Sequence, residues 1–348
     1  MHPLWRDLLI ASTAEIGPDE IPRFATIPSD APGCRLFDLS HLGLIAAQGA
    51  DAATFLQGQL TNDVRELSDT HVQWSSHCSQ KGRMLASFLL MRIDDTFYLQ
   101  LPRTGIPDLL ERLRRFVLRS RVKLDDVSDD LARIAIVGEA AAACVAERGL
   151  GAPELENGLA ITGEVAVIRL PGPLPRFELI GTPLGLAEHW SAFLTQATPA
   201  NVEDWALLDI RAGIPTIEAR TADAFVPQMA NMQLIDGVSF HKGCYTGQEV
   251  VARMQYLGKL KRRMYLAEVA SEQPPRPGDE LFSPASTSQQ GSGTVVASSP
   301  VGAGRHALLA VVEVKAAEDG EVQLSADGPR LDFQPLPYAF QDQGAEPA

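Results

Sequence analysis

Lys242-Gly243-Cys244-Tyr245-Thr246-Gly247-Gln248-Glu249 packs a cation, a thiol, a phenol, an amide and a carboxylate into eight residues. Gly243 and Gly247 permit a tight backbone path around the cysteine. Thr246 is placed to cap a helix, with Glu249 three residues on as its capping-box partner. Such a helix starts near Gly247 and turns Val250, Val251 and Met254 inward. Cys244 then sits just before a helix N-terminus and two residues after Lys242. Both features lower a thiol pKa and favour the thiolate. That thiolate can serve as a nucleophile, a redox group or a soft-metal ligand. A lone cysteine is more often a small buried hydrophobe, but the lysine, the two glycines, Gln248 and Glu249 favour the functional reading here. His241-x-x-Cys244 has ligand-like spacing, yet no second pair completes a tetrahedral set, so no metal centre is expected.

Outward from the octapeptide, the flanks are Trp205…Gly213-Ile214-Pro215, Phe225…Asn231 and Tyr256…Arg263. Further upstream the chain alternates short strands with helices. Residues 36–48 read as one extended run, and 72–78 and 84–91 as two strands of a hairpin turned by Ser79-Gln80-Lys81-Gly82. A strand at 97–101 precedes a helix at 106–117, with Leu109, Leu110, Leu113, Phe116 and Val117 on one face. A strand at 121–127 closes this round. A second round runs through a strand at 133–137, a helix at 139–148, strands at 159–161, 165–170 and 177–180, and a helix at 186–194. Each round is a split β-α-β layout, an α+β arrangement. After Lys259 the pattern becomes short strands (264–269, 294–297, 307–314, 322–324) between Pro/Gly/Ser loops, with no helix-length periodicity, as in a small β-barrel. Residues 1–33 read as a lead-in helix and loop, and 341–348 as a polar tail. The resulting organisation is a first α+β domain at 1–130, completed by 200–257, a second at 131–199, and a barrel at 258–340.

The 348 residues are 45% hydrophobic and 21% charged, which is ordinary for a folded chain. Thirty Lys and Arg against 44 Asp and Glu leave a net charge of −14. Such a balance argues against direct nucleic-acid binding, which needs a cationic surplus. Cys34, Cys78, Cys144 and Cys244 are widely spaced and suit a reducing compartment. The N-terminal stretch, with a single arginine among several acids, is not a targeting signal, and no apolar run spans a bilayer. A bacterial cytoplasmic protein is expected. Two basic runs, Arg112 to Lys123 and Lys259 to Arg263, are either solvated faces or docks for anions.

The octapeptide resembles the signature of the YgfZ family, folate-binding proteins of iron–sulfur cluster assembly or repair. Gly49-Ala50-Asp51…Phe55…Thr61-Asn62-Asp63, His77-Cys78…Lys81-Gly82-Arg83, Trp205…Gly213-Ile214-Pro215 and Leu336-Pro337-Tyr338 resemble that family's other blocks. The resemblance implies the fold of the glycine-cleavage T-protein: two ferredoxin-like α+β domains and a C-terminal β-barrel around a central folate channel. It implies a tetrahydrofolate-binding factor that supports iron–sulfur client proteins or cluster carriers, with indirect effects on tRNA thiomodification. On that reading Cys244 and Lys242 are the reactive pair. Trp205, Arg211 and Tyr245 are the folate contacts, and Gly243, Gly247, Gln248, Glu249 and Arg253 are the remaining motif positions. The alternative is a folate-dependent aminomethyl transferase. T-proteins carry a paired Asp-Asp in the hairpin where this chain has Ala86 and Ser87, neither of which titrates near neutrality. Two other positions depart as well. Arg211 stands where T-proteins have an acid that meets the pterin, and Leu42 where an aromatic helps form the family's folate site. Aminomethyl transfer is therefore not expected.

Overall fold

The structure is a computed structural model that describes residues 1–25, 33–284, 286 and 291–340. The expected polar tail, and parts of the 1–33 lead-in and the 284–293 loop, lie outside the described residues. The chain forms two compact units. The first comprises Met1–Phe55, Arg65–Gln73 and Leu89–Trp205, and the second Leu56–Val64, Trp74–Phe88 and the chain from Ala206 on.

The first unit is built on a six-stranded sheet in the order Leu159–Thr162, Val165–Leu170, Arg176–Gly181, Ala132–Val137, Cys34–Asp38, Ala197–Ala200. Only the last pair is parallel. Alternation along the strands sends Ile134, Ile136, Phe177 and Leu179 to one face. There they meet Trp5, Leu9, Val145, Leu186 and Trp190 from the helices Pro3–Ala11, Ala141–Glu147 and Pro183–Phe193. Each such side chain contributes about 1.5–3 kcal/mol on burial. The last of these helices begins as its sequence dictates. Pro183 takes the first turn, and the Thr182 hydroxyl accepts from Gly185 N–H at 3.1 Å.

The opposite sheet face carries fully buried Arg133, Arg176 and Glu178, residue types that are buried only with partners. Arg133 donates to the Leu42 carbonyl at 2.6 Å, and Gln100 Nε2 to Glu178 Oε2 at 3.0 Å. Burial draws the Arg133 guanidinium down to about 10, opposed by the charges of Glu178 and Asp38.

The run 36–48 is two strands, not one. The Asp38 carboxylate accepts from both the backbone N–H and the hydroxyl of Ser40, and Leu42 N–H bonds back to the Leu39 carbonyl. This Asx-type turn sends Cys34–Asp38 into the six-stranded sheet. Leu42–Gln48 goes instead between Thr96–Pro102 and Lys123–Asp126. The helix Ile106–Val117 buries Ile106, Leu109, Leu110 and Leu113, but Phe116, expected inward, is exposed.

The second unit holds the hairpin formed by Gln73–Cys78 and the first half of Met84–Ile93. Two 3-10 turns, Pro227–Ala230 and Met232–Ile235, and the helix Gln248–Tyr256 follow. A bulged antiparallel sheet completes it, ordered Glu280–Leu281, Gly293–Gly302, Arg305–Glu313, Arg262–Ala270, Asp332–Gln334. Met264, Leu266, Leu309 and Val311 face the hairpin core of Cys78, Met84 and Val251, while Ala267, Leu308, Ala310 and Val312 pack on the other side. The strand expected at 322–324 is reduced to bridges from Gln323 to Phe282 and Arg330. A short helix, Val314–Glu318, interrupts the run read as purely β. Among the described residues no helix is long and apolar enough to cross a membrane.

Candidate functional site

The octapeptide is held by the segment Leu60–Asn62, more than 170 positions earlier in the same unit. Lys242 is buried, and its Nζ donates to the Leu60 carbonyl at 2.6 Å and the Asn62 carbonyl at 2.8 Å. Thr61 Oγ1 donates to the Gly237 carbonyl at 2.8 Å, and Ser239 N–H returns to the Thr61 carbonyl at 3.0 Å. Asn62 Nδ2 donates to Asp236 O at 2.6 Å and Trp74 O at 2.9 Å. A primary amide and an ammonium thus fasten the approach to the cysteine at both ends. Charge-assisted bonds of the lysine kind are roughly twice as strong as neutral ones.

The ammonium also lies over the ring of Tyr245, 5.0 Å from its centroid, a cation–π geometry. Tyr245 is buried, and burial, reinforced by nearby Cys78, pushes its phenol up. Lys242 is therefore a clamp on the loop. Two of its three ammonium donors go to backbone carbonyls, so Lys242 is buried and bonded and not the free cation expected beside the thiol.

Beyond the tyrosine the loop turns at Gly247, whose φ is +84°. A Cβ there would strike the Ser79 carbonyl and the backbone of Gly82, so only glycine fits. Gly82, at φ +68°, has the reciprocal constraint, since its Cβ would come within 2.8 Å of the Val250 Cβ. Gly243 has open space around it and no positive φ, so of the two glycines expected to shape the loop only Gly247 is required. The helix starts at Gln248 with Gly247 as its cap residue and no side-chain cap bond. The expected Thr246–Glu249 capping box does not form, because Gly247 in the left-handed region takes the cap position. Val251 is buried as expected, Val250 and Met254 are half-buried, and Glu249 and Arg253 are exposed in the first and last turns.

Cys244 is the exposed cysteine, while Cys34, Cys78 and Cys144 are buried. Burial pushes the Cys78 thiol up to about 12 and the Cys34 thiol up to about 11, the latter helped by Cys144. Those thiols are protonated and shielded at neutral pH. Cys244 is the thiol open to a partner.

The other expected positions lie elsewhere. Arg211 is exposed at the end of the helix Val202–Arg211 in the second unit. Trp205 belongs to the first unit and is 3% exposed. Phe37 meets its ring edge-on at 5.4 Å between centroids, and the Arg176 guanidinium lies 5.0 Å from its centre. In this conformation Trp205 offers no free face to a flat heterocycle, so the stacking role expected for it does not fit. Ser87 is also committed: its hydroxyl donates to the Pro215 carbonyl at 2.9 Å and accepts from Ile217 N–H at 3.0 Å. With Ala86 beside it, the hairpin brackets the Gly213-Ile214-Pro215 block and supplies no acid.

Sequence reasoning missed the working parts of the clamp: Leu60, Thr61, Asn62, Asp236 and Gly237. The available signal was Thr61-Asn62-Asp63, three polar residues in a row that are all buried. Such a run must find internal partners.

With the geometry in view, the chain can be compared with known proteins. Residues 31–150 match the family described as GCVT N-terminal domain. The tRNA-modifying protein YgfZ of Sodalis glossinidius (strain morsitans) is 32% identical over 315 residues, covering 90% of this chain and 96% of that protein. The protein of the same name from Colwellia psychrerythraea is 29% identical over 325 residues, covering 92% and 97%. That from Escherichia coli O157:H7 is 30% identical over 322 residues, covering 92% and 98%. Among solved structures, the glycine cleavage system aminomethyltransferase T from Bartonella henselae superposes with a TM-score of 0.73 at 18% identity, covering 97% of each chain. The fold is T-protein-like.

Proposed function

The chain belongs to the YgfZ family, and from that membership we propose that it is a tetrahydrofolate-binding accessory protein that supports assembly or repair of iron–sulfur clusters in client enzymes. Its effect on tRNA modification, the activity its relatives are named for, is then indirect, through modifying enzymes that need clusters. The observation that carries the reading is the inverted burial of the octapeptide: Lys242 is inside and bonded, and Cys244 is outside and free to meet a client. A rigidly held, exposed thiol on a clamped loop suits transient ligation or exchange with a partner protein's sulfur or iron. The net charge of −14 supports protein clients over tRNA itself.

The folate part of the reading rests on the T-protein-like fold. The Trp205 face is covered, and the Tyr245 ring is likewise buried under the Lys242 ammonium, so of the expected folate contacts the exposed Arg211 is the candidate retained. The three-part organisation, at 1–130 with 200–257, at 131–199 and at 258–340, is proposed with it, as is a place in the bacterial cytoplasm. The rival aminomethyl transfer is disfavoured by Ser87, whose hydroxyl both donates to and accepts from backbone groups and has no titratable neighbour in the pair.

The test is a deletion strain complemented with wild type or Cys244→Ala. Loss of cluster-dependent enzyme activity and of thiolated tRNA nucleosides with the variant, at normal protein level, is expected. Full complementation would overturn the reading. Calorimetric titration with tetrahydrofolate separately tests the ligand.

A further inference from the structure

We propose that the hollow at the C-terminal end of the helix Ile106–Val117 is a docking site for a short acidic segment of a partner protein that inserts one bulky apolar side chain. The helix stops at Leu118, which holds φ +44° and ψ −103° and is 88% exposed. A bulky residue at positive φ is a backbone outlier, and such strain persists where the surroundings use it. Two residues back, Phe116 is 44% exposed although the helix has buried places for apolar residues. The two, with Arg119, Ser120 and Asp51, line a surface hollow of about 730 Å³.

Charges around the hollow sort into spent and unspent. Asp51 is neutralised: it accepts from Arg121 N–H at 2.7 Å and pairs with the Arg121 guanidinium at 3.3 Å. Arg114 is bonded to the Leu124 carbonyl, Arg115 pairs with Glu111, and Lys123 pairs with Asp125. Much of the basic run is thus a solvated, internally paired face. Arg112 and Arg119 are exposed and have no ion pair among the described residues. Arg112 is one turn before Phe116 on the same helix face, and Arg119 follows Leu118 directly.

The arrangement is an apolar knob and hollow flanked by two unpaired guanidiniums. It complements an apolar side chain flanked by carboxylates, which guanidiniums grip in bidentate fashion. A nucleic acid is the weaker fit. Two free cations cannot offset a phosphate backbone held against a molecule of charge −14, whereas a short peptide samples only the local field. The surface is independent of the thiol chemistry proposed above.

The full-length chain panned against a displayed random peptide library of about twelve residues tests this. Enriched sequences should pair Leu, Ile, Phe or Trp with Asp or Glu three or four positions away. A synthetic peptide of the consensus should bind Arg119→Glu and Leu118→Gly about tenfold more weakly than wild type. Leu118→Gly should at the same time raise the melting temperature, since glycine holds this φ without strain. That separates lost docking from lost folding. Enriched peptides without acids, unchanged affinity in both variants, or tighter binding of an RNA oligonucleotide that Arg119→Glu abolishes would each overturn the assignment.

Discussion

Two segments of the second unit hold nearly the same groups and use them in opposite ways. His77-Cys78-Ser79-Gln80-Lys81-Gly82 turns the hairpin, and His241-Lys242-Gly243-Cys244 leads into the helix at Gln248. In the hairpin the thiol is fully buried and the lysine exposed. In the loop the lysine is buried and the thiol exposed. The difference follows from strand pleating against a core in the one case, and from two carbonyls waiting for an ammonium in the other. Which thiol is exposed is therefore decided by which member of the pair the fold takes inside, and not by the residues being neighbours.

The largest contrast should appear in the thiols. Alkylation of the folded chain at neutral pH, followed by mass spectrometry, should modify Cys244 at least about a hundredfold faster than Cys78, whose thiol is both shielded and pushed up to about 12. Comparable rates would break the comparison. Next come the lysines. Lys242→Ala should lower stability to urea by about 2–4 kcal/mol, because two charge-assisted bonds vanish and buried carbonyls lose their partner. Lys81→Ala, at an exposed turn, should stay within about 0.5 kcal/mol. Equal costs would mean that the clamp is not holding the loop.

The smallest effect is in pH. The Cys78 thiol is raised from 9.0 to about 12 in the fold by burial. Its contribution is full below pH 9 and is lost as pH rises toward 12, since the unfolded chain releases that proton first. Stability should fall by about 1 kcal/mol between pH 9 and 10 from this group. Cys78→Ala should flatten that slope. Unfolding curves at the two pH values decide it.

Much of this was legible in the chain. The octapeptide's density of polar groups singled out a segment in which the structure finds Cys244 exposed and Lys242 buried, and the alternation of short strands with amphipathic helices gave the α+β layout. What was hidden is tertiary. The partners of Lys242 lie 182 and 180 positions away, beyond any local pattern. Arg176 covers the ring of Trp205 from a different strand. Asp38 and Ser40 alternate with Phe37 and Leu39 as the outward residues of a strand would, so their local pattern reads as pleating, and the turn they make is seen only in its hydrogen bonds. Phe116 fits the helix period yet sits outside the core. Periodicity reports which faces are apolar, and not which of them the rest of the fold will cover.

The interleaving of the two units has a consequence for how the protein is made. Leu56–Val64 and Trp74–Phe88 leave the ribosome early, but the rest of their unit begins only at Ala206. At about 5–20 residues per second, the early pieces wait on the order of ten seconds for partners. Through that interval Thr61 and Asn62 have no Gly237 or Asp236 to bond, and the hairpin's apolar side is uncovered. Translation speed and chaperone contact in this window, more than the stability of the finished chain, then govern how much of it reaches the native state. Synonymous changes that slow synthesis between residues 90 and 205 should lower soluble yield without altering a single contact.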